Sequence, residues 1–497
     1  MTPQAGPGAS PKPFAGRKIH FNGAGGCGMS GLAEFVLQEG AEVSGSDLKT
    51  SAAVSRLSVL GAKIYIGHQA ENMPLGVDLV VASAAVKPDN LEMIEARRRN
   101  IAVQKYAQFL GALMDMRKGI AIAGAHGKST TAAMVSYALH CAGKDPSYVI
   151  GAEVPQLGGG SHADKGEHLV VEACEFDRSF HNYKPHAAVI LNIEEDHLDY
   201  YHGGLPEIRQ AFAEFAAKIL PGGLLVANAA DIGVREIVEK SRVPVETFGI
   251  GGQFDWRAEN LEANQGCFTF DVYEKEALFV SVRLGIPGRH NVLNALATMA
   301  LCHWAGADTD AVTRALGEFS GAARRMEVLG RAAGVTVVDD YAHHPTEICA
   351  TLKAAKARFN PKRLWVVFQP HQHSRTRFFL KDFGLALAVA DKVVVPDIYF
   401  VRDSENERQA VSSQDLVGEL QRLGVDGLYI MEFDSIRRYL VESLGAGDVL
   451  MTMGAGDVWH LAEPLLADLG GGAAGSADDI EKPAPAPDGG GDAGPSI

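Results

Sequence analysis

Residues 118–130, which read KGIAIAGAHGKST, decide the fold class of this chain. The apolar run Lys118–Ala123 predicts a buried strand, and the glycines that follow it predict a tight turn. A helix is predicted from Lys128 to Ala142, which gives the strand–turn–helix order of a parallel α/β sheet. The turn and the start of the helix comprise Gly124, Ala125, His126, Gly127, Lys128, Ser129 and Thr130.

This segment has the chemistry of a phosphate-binding loop. The amides of a glycine-rich turn face an anion closely, and the helix N-terminus adds positive potential. Lys128 would place its charge on the phosphates of a nucleotide, and Ser129 its hydroxyl on Mg²⁺. The loop is shorter between its glycines than the common motif, and a tight turn with a solvent-facing lysine is the structural alternative. Because turns lie at the surface, loss of Lys128 is expected to stop ADP formation and leave the fold intact.

Similar strand–turn–helix units stand near the start and in the last third of the chain. Lys18–Asn22 and Met29–Gln38 form the first of these, and Val335–Val338 and Thr346–Phe359 form the other. Residues 245–285 predict an antiparallel excursion. The pattern predicts an α/β fold with three domains: an N-terminal Rossmann-like domain (17–112), a central P-loop-type ATPase domain with a mostly parallel sheet (113–321) and a C-terminal Rossmann-like domain (322–469).

The composition is that of a soluble globular protein, with 46% hydrophobic and 22% charged residues. No apolar run is long enough for a transmembrane helix, and residues 1–16 lack the apolar core of a signal peptide. Six scattered cysteines fit a reducing compartment, so we predict a cytoplasmic protein. The net charge of −15 argues against nucleic-acid and anionic-membrane binding. Residues 1–16 and 470–497, poor in large apolar side chains, are predicted to be disordered tails.

A second glycine-rich turn, GAGGCG at residues 23–28, matches the dinucleotide-binding fingerprint. Asp47 follows at the distance where an acid meets a ribose hydroxyl. The turn would bind the diphosphate of NAD or of another nucleotide such as a UDP-sugar, and the motif does not distinguish them. A close helix–strand crossing without a ligand is the structural alternative.

Acidic residues and histidines follow two predicted strands of the central domain. Glu172 comes directly after the strand His168–Val171, and Asn192 and His197 follow the strand Ala187–Leu191. The carboxyl ends of parallel strands are where such sheets bind ligands. Glu172 and Ser129 are therefore a candidate Mg²⁺ pair. His197 is an unusual Mg²⁺ ligand on hardness grounds and is alternatively a hydrogen-bonded histidine at a strand end.

The last third of the chain has two polar clusters, DDYAHHP at residues 339–345 and FQPHQHSRTR at residues 368–377. Their histidines could form a zinc cluster, but none has the spacing of a helical pair and no cysteine joins them. We favour contacts to polar substrate groups, with Arg375 offering a bidentate fork to a carboxylate or phosphate.

Taken in this order, the segments resemble the Mur ligase family, the ATP-dependent, amide-forming enzymes of bacterial peptidoglycan synthesis. The resemblance covers residues 17–468 and includes GRHNVLNA at residues 288–295 and the pair Arg324-Arg325. It implies the cofactors ATP and Mg²⁺. The chain departs from the usual family pattern at Ala125 and Ser129, at Cys174, and at Gln372-His373. Cys174 removes an acid beside Glu172, and Gln372-His373 alters the pocket expected for the amino acid.

The resemblance also implies roles for individual residues. ATP would be held by residues 124–130 together with His290, Asn294 and Arg324. Mg²⁺ would lie near Ser129, Glu172 and His197. The UDP substrate would be bound by Gly23, Gly25, Gly26, Gly28, Met29, Ser30 and Asp47. The amino acid would face Tyr341, His343 and Arg375, and the implied catalytic residues are Lys128, Glu172, His197 and Arg375.

The implied reaction activates the lactyl carboxylate of UDP-N-acetylmuramate as an acyl phosphate, which the amino group of L-alanine then attacks. A recycling ligase that adds a ready-made peptide to the same sugar nucleotide is the nearest alternative. An NAD dehydrogenase would leave Gly124–Thr130 without a use, and a non-catalytic nucleotide-binding module need not keep Glu172 and His197. The sequence does not predict the oligomeric state.

Overall fold

The structure is a computed structural model that describes residues 12–471. This part of the chain divides into two compact units. The first unit contains residues 12–327, 344–360 and 377–379, and the second contains residues 328–343, 361–376 and 380–471.

The first unit begins with a small parallel sheet. Its strands are β1 (Lys18–Asn22), β2 (Glu42–Asp47), β3 (Lys63–Ile66), β4 (Leu79–Ala82) and β5 (Ala102–Lys105). They lie in the order β3-β2-β1-β4-β5, and all neighbours are parallel. The accompanying helices are α1 (Cys27–Gln38), α2 (Ala52–Val59), α3 (Leu91–Arg98) and α4 (Tyr106–Met114). The sheet order is that of a doubly wound nucleotide-binding fold, which places the ends of β1, β2 and β3 side by side.

A ten-stranded sheet follows in the same unit. Its strands are β6 (Lys118–Ala123), β7 (Ser147–Val149), β8 (Ser161–His162), β9 (His168–Ala173), β10 (Ala187–Ile190), β11 (Leu224–Asn228), β12 (Val245–Ile250), β13 (Trp256–Asn264), β14 (Cys267–Glu274) and β15 (Ala277–Arg283). The order is β15-β14-β13-β12-β11-β10-β6-β9-β7-β8. Ile120 and Ile122 of β6 are fully buried, as are Ala121 and Ala123 on its other face. Burial on both faces explains why β6 is a continuous apolar run rather than an alternating one.

The helices beside this sheet are α5 (Lys128–Cys141), α6 (Leu205–Ala216), α7 (Ile232–Val238), α8 (Arg289–Trp304) and α9 (Thr309–Glu318). The first unit also contains α10 (Pro345–Phe359). Short 3₁₀ helices span Ala70–Asn72, Pro155–Leu157 and Phe176–Asn182.

The second unit is built on a six-stranded sheet. Its strands are β16 (Glu327–Ala332), β17 (Val335–Asp340), β18 (Leu364–Phe368), β19 (Lys392–Val395), β20 (Asp426–Tyr429) and β21 (Val449–Met453), in the order β16-β17-β21-β18-β19-β20. The remaining helices are α11 (His373–Phe378), α12 (Leu380–Leu387), α13 (Glu405–Ala410), α14 (Ser413–Arg422), α15 (Phe433–Ser443) and α16 (Ala462–Leu469), with a 3₁₀ turn at Val458–Leu461.

The α/β class and the mostly parallel sheets are confirmed. The predicted antiparallel excursion is confirmed for β13–β15, whereas β12 pairs in parallel with both of its neighbours. β9 extends to Ala173, so Glu172 lies within the strand and not after it. The domain boundaries stay predictions; helix α4 spans the one placed between residues 112 and 113. Among residues 12–471, no helix is both long and apolar enough to cross a membrane.

The predicted tails lie mostly outside the described residues, which leave out 1–11 and 472–497. Residues 12–16 are described, and the ring of Phe14 packs edge-on against Phe109 at a centroid distance of 6.0 Å. An aromatic pair of this kind contributes apolar contact that a disordered segment does not make. The prediction of a disordered tail is therefore wrong for this short stretch.

Candidate active site

The loop between β6 and α5 uses glycine where no other residue fits. Gly124 has φ 149° and Gly127 has φ 83°, a region of backbone space that L side chains rarely adopt. A Cβ at Gly124 would lie 2.9 Å from Cβ of Leu191, and one at Gly127 would lie 2.9 Å from Oδ1 of Asn294. The loop is thereby pressed against β10 and α8 at the N-terminus of α5, where a helix favours an anion.

Asn192 fixes the shape of this loop from the end of β10. Its Oδ1 accepts a hydrogen bond from the His126 amide at 2.8 Å, and its Nδ2 donates to the His126 carbonyl at 3.1 Å. The Ala125 amide also donates to the Asn192 carbonyl at 3.1 Å. One side chain thus satisfies both backbone groups of a loop residue, as a short β-bridge would.

We expect Asn192→Ala to lower kcat/KM for ATP by about tenfold to a hundredfold, because a loop displaced by about 1 Å loses productive geometry. The variant also leaves the His126 amide without its partner, at a cost of about 1–3 kcal/mol. ADP release and thermal unfolding would measure the two effects.

Asn228→Ala is the matched control for that variant. Asn228 Nδ2 donates to the Leu191 carbonyl at 2.9 Å, so its loss also removes a buried hydrogen bond at a strand end. The control should lose stability but keep its KM for ATP, since Asn228 makes no hydrogen bond to the loop. Equal kinetic losses in the two variants would contradict the loop-shaping role of Asn192.

Lys128 is folded back onto the loop and paired with an acid. Its Nζ donates to the carbonyls of Gly124 at 2.6 Å and Ala125 at 3.0 Å, and lies 2.9 Å from Oε2 of Glu175. The side chains of Lys128 and Glu175 are 15% and 4% exposed, so the alternative of a solvent-facing lysine finds no support. Burial alone would lower the pKa of Lys128, but the charge of Glu175 raises it above its usual value. Lys128 is therefore a permanent cation at the loop.

The predicted metal residues are only partly grouped. Glu172 is near enough for its charge to raise the pKa of Lys128, and its Oε1 accepts a hydrogen bond from the Gly151 amide at 2.6 Å. His197 instead groups with Glu175 and Asp196, with one ligand atom of each within 4.8 Å of the others. Glu175 was not among the predicted site residues. It both pairs with Lys128 and belongs to this group of potential metal ligands.

The cluster of Glu175, Asp196 and His197 fits a divalent cation. His197 has φ 52°, a strained conformation for a residue with a side chain, and its Nδ1 is buried without a hydrogen-bond partner among residues 12–471. Two carboxylates supply the oxygen ligands that Mg²⁺ prefers. A strained backbone and an unpaired ring nitrogen at His197 are typical of a side chain positioned to bind a ligand.

The residues predicted to contact the nucleotide lie at the start of α8 and at residue 324. Asn294 packs against Gly127, as described above, and His290 packs over Gly288, which has φ 107°. The predicted contact Arg324 has φ 59°, and its amide donates to Glu327 Oε2 at 2.7 Å. The neighbouring Arg325 donates from Nη2 to Ser129 Oγ at 3.5 Å. Arg325 therefore adds a further cation at the loop; the sequence analysis named it within the pair Arg324-Arg325 but gave it no role of its own.

His126 of the loop is held between two carboxylates. Its Nδ1 lies 3.2 Å from Oε1 of Glu347 in α10, and its Nε2 lies 3.4 Å from Oε2 of Glu194. Thr346 Oγ1 also donates to Glu194, at 2.6 Å, and His344 Nε2 donates to the Glu195 carbonyl at 3.0 Å. Burial alone would lower the pKa of His126, but Glu347 and Glu194 raise it to about 10. His126 is therefore an imidazolium that ties the loop to the start of α10.

The glycine-rich turn after β1 borders a separate cavity of about 570 Å³. Gly23, Gly25, Gly26 and Asp47 line it, together with the cations Lys49 and Lys87 and the imidazole of His68. Asp47 Oδ2 accepts a hydrogen bond from the Gly25 amide at 2.8 Å. Backbone amides with nearby lysines suit a diphosphate.

Three predicted substrate contacts of this turn do not line the cavity. A Cβ at Gly28 would lie 2.8 Å from the ring of Tyr106, so this glycine allows α1 to approach α4 closely. Met29 is 3% exposed within the hydrophobic core, and Ser30 borders a different, smaller cavity between residues 30–57 and 150–161. The side chain of Met29 is therefore part of the core, and its contact with the substrate stays a prediction.

The predicted amino-acid contacts lie in the second unit. The rings of Tyr341 and His343 pack edge-on at 5.4 Å, and the ring of His371 lies 6.3 Å from that of His343. Arg375 Nη1 lies 3.4 Å from His371 Nδ1, so Arg375 belongs to the same group as Tyr341 and His343. Among the described residues, no group of three metal-ligating side chains includes His343, His371 or His373, so the zinc alternative finds no support.

Comparison with known protein families agrees with this arrangement over most of the chain. Residues 18–118 match the catalytic domain of the Mur ligase family, residues 122–302 the Mur ligase middle domain, and residues 324–456 the Mur ligase glutamate ligase domain. The chain belongs to the Mur ligase family. It is thus similar to ATP-dependent, amide-forming ligases.

Individual Mur ligases are similar along almost the whole chain. The UDP-N-acetylmuramate–L-alanine ligase of Caldanaerobacter subterraneus subsp. tengcongensis is 42% identical over 454 residues, which is 91% of this chain and 98% of that protein. The ligase of the same name from Clostridium acetobutylicum is 41% identical over 453 residues, again 91% and 98% of the two chains.

Two crystal structures show the same fold. The UDP-N-acetylmuramate–alanine ligase of Thermotoga maritima has a TM-score of 0.78 and 29% identity, covering 91% of this chain and 98% of that one. A murein peptide ligase from Psychrobacter arcticus has a TM-score of 0.71 and 26% identity, covering 92% and 99%.

The residues of this Mur ligase that sequence reasoning missed share one property. Glu175, Arg325 and Glu347 become neighbours of the loop only through the tertiary fold, because they stand 47, 196 and 221 positions along the chain from the loop residues Lys128, Ser129 and His126 that they contact. The only sequence signal for Glu175 is its place two residues after the end of β9, where ligand-binding acids of parallel sheets occur.

Proposed function

We propose that this chain joins L-alanine to the lactyl carboxylate of UDP-N-acetylmuramate, with cleavage of ATP to ADP and phosphate. The observation that carries the proposal is the convergence of Lys128, Glu175 and His197 at the glycine loop, in a chain similar over 91% of its length to ligases of that name. We also propose the three-domain division at residues 112/113 and 321/322.

The chemistry follows from the poor reactivity of a carboxylate as an acyl donor. A carboxylate oxygen attacks the γ-phosphorus and ADP leaves, which yields an acyl phosphate. The uncharged amino nitrogen of L-alanine then attacks the carbonyl carbon, phosphate leaves, and the nitrogen loses a proton. Both steps need charge neutralisation and close positioning more than covalent help from the protein.

Cationic side chains in and beside the loop would supply the positive charge that the phosphates require. Lys128 would move from Glu175 to the nucleotide phosphates, and Arg325 would lie beside it at Ser129. Bound Mg²⁺ would offset phosphate charge; Glu175, Asp196 and His197 are the residues that fit it, with Ser129 and Glu172 the pair expected from sequence. Asn294 would contact the nucleotide beside Gly127. Arg375 would hold the carboxylate of the amino acid in a bidentate pair.

An ADP-release assay separates this function from its alternatives. We expect ADP to form with MgATP and UDP-N-acetylmuramate only after L-alanine is added. ADP release that depends on the peptide L-alanyl-γ-D-glutamyl-meso-diaminopimelate instead would identify a recycling ligase. The absence of ADP with every acceptor, from protein that still binds ATP, would favour a non-catalytic nucleotide-binding module.

A further inference from the structure

A buried polar network lies under the cavity of the first sheet and centres on Glu92. Neither Glu92 nor His20 exposes any of its side chain to solvent. Glu92 accepts hydrogen bonds from Ser46 Oγ at 2.6 Å, Asn72 Nδ2 at 3.0 Å and His20 Nε2 at 3.2 Å. Burial alone would raise the pKa of Glu92, but these hydrogen bonds hold it below its usual value. The network is therefore built around an ionised carboxylate.

The single proton of Ser46 fixes the direction of the next hydrogen bond. A hydroxyl has one proton to donate, and Ser46 gives it to Glu92. Ser46 Oγ also lies 2.9 Å from Nδ1 of His68, so it must accept from that nitrogen. The Nδ1 of His68 thus carries a proton, and in the neutral imidazole Nε2 is a hydrogen-bond acceptor.

His68 presents this acceptor to the cavity. It follows the end of β3 and lines the cavity, and Nε2 has no partner among residues 12–471. The sheet order places the glycine turn after β1, Asp47 at the end of β2, and His68 one strand farther out. In doubly wound folds the diphosphate lies at the turn and the ribose at the acid after β2. The base of such a nucleotide extends toward β3.

We propose that His68 selects the base of the sugar nucleotide, with its Nε2 accepting a hydrogen bond from the imide N3–H of uracil. The inference rests on the proposed function, which makes a uridine nucleotide the substrate. Ser46 and Glu92 are positioning residues, because they act by fixing the proton of His68 on Nδ1 and not by touching the base.

This arrangement favours uridine over cytidine. Uracil offers an N–H at position 3, whereas cytosine has an unprotonated nitrogen there, and two acceptors would face each other. A site that hydrogen-bonds one group of its substrate strongly rejects an analogue that lacks this group. An apolar pocket discriminates far less between two ligands that differ by one methylene. For a partly open cavity we expect UDP to bind on the order of 100-fold more tightly than CDP.

Calorimetric binding of UDP and CDP to the full chain, without ATP, tests the inference. The two ligands share their diphosphate and ribose, so the ratio of their dissociation constants isolates the base. His68→Leu should reduce the ratio to less than about tenfold, mainly by weakening UDP. Ser46→Ala should give an intermediate ratio, because the imidazole could then place its proton on either nitrogen. His68→Gln, whose amide has both a donor and an acceptor, should bind the two ligands about equally.

A matched control and the contrary results complete the test. His140→Leu changes an exposed histidine at the end of α5 and should keep the wild-type ratio. A substitution that merely loosens the fold would weaken UDP and CDP alike and leave the ratio unchanged. An unchanged ratio in His68→Leu, with UDP still bound, overturns the inference alone. Failure of the wild type to bind UDP at millimolar concentration overturns the use of this cavity by a uridine nucleotide, and the inference with it.

Discussion

Lys128→Ala is expected to lower the rate of ADP formation by about a hundredfold or more, because a preorganised charge at the phosphates is lost. The variant should also be destabilised by about 3–5 kcal/mol, since Glu175 would remain buried without its cation. The sequence alone predicted a loss of activity without a loss of stability. Rates of ADP release and chemical denaturation of the same preparation would measure the two effects.

Two further variants separate charge from stability. In Lys128→Met with Glu175→Gln, both charges of the pair are removed, so most of the lost stability should return while turnover stays low. Lys118→Ala is the control lysine: its ion pair with Glu167 spans 2.9 Å, but both side chains are at least half exposed. A surface pair of this kind contributes at most about 1 kcal/mol. Turnover near the wild-type rate in Lys128→Ala would contradict the assignment of the loop.

His126→Asn is expected to destabilise the protein by about 3 kcal/mol near neutral pH, because Glu194 and Glu347 would face each other without the imidazolium between them. The KM for ATP should rise as well, since the loop loses its tie to α10. His140→Asn, at the exposed end of the helix α5 that follows this loop, should change neither quantity.

The effect of His126→Asn should depend on pH in one direction. The pKa of His126 is raised from its ordinary value of 6.5 to about 10, so the folded state holds this proton more tightly than the unfolded state does. The stabilisation is complete below about pH 6.5, declines as the pH rises above that value, and is lost above about pH 10. The difference in unfolding free energy between wild type and His126→Asn should therefore be larger at pH 6.5 than at pH 9.5. A constant difference would show that His126 is not held as an imidazolium.

The sequence pattern was sufficient to predict secondary structure where the structure depends on residues adjacent in the chain. β1 and β6 have the bounds that their apolar runs predict, and α5 begins at the predicted Lys128. The start of α1 and the end of β9 were less well predicted: α1 begins at Cys27 and not at Met29, and β9 ends at Ala173 and not at Val171. A glycine turn and an acid at a strand end have no sharp apolar signature. The loop Gly124–Thr130 could be found because its glycines, lysine and hydroxyl are contiguous.

The sequence by itself determined the α/β class, the phosphate loop and the resemblance to Mur ligases, since each depends on residues adjacent in the chain. Only the tertiary structure decided that Lys128 pairs with Glu175, that His126 lies between Glu194 and Glu347, and that Met29 is in the core. The physical reason is that burial and charge pairing depend on which strand ends and helix starts meet. In a parallel sheet these come from segments far apart in sequence, and no local pattern records the distance between them.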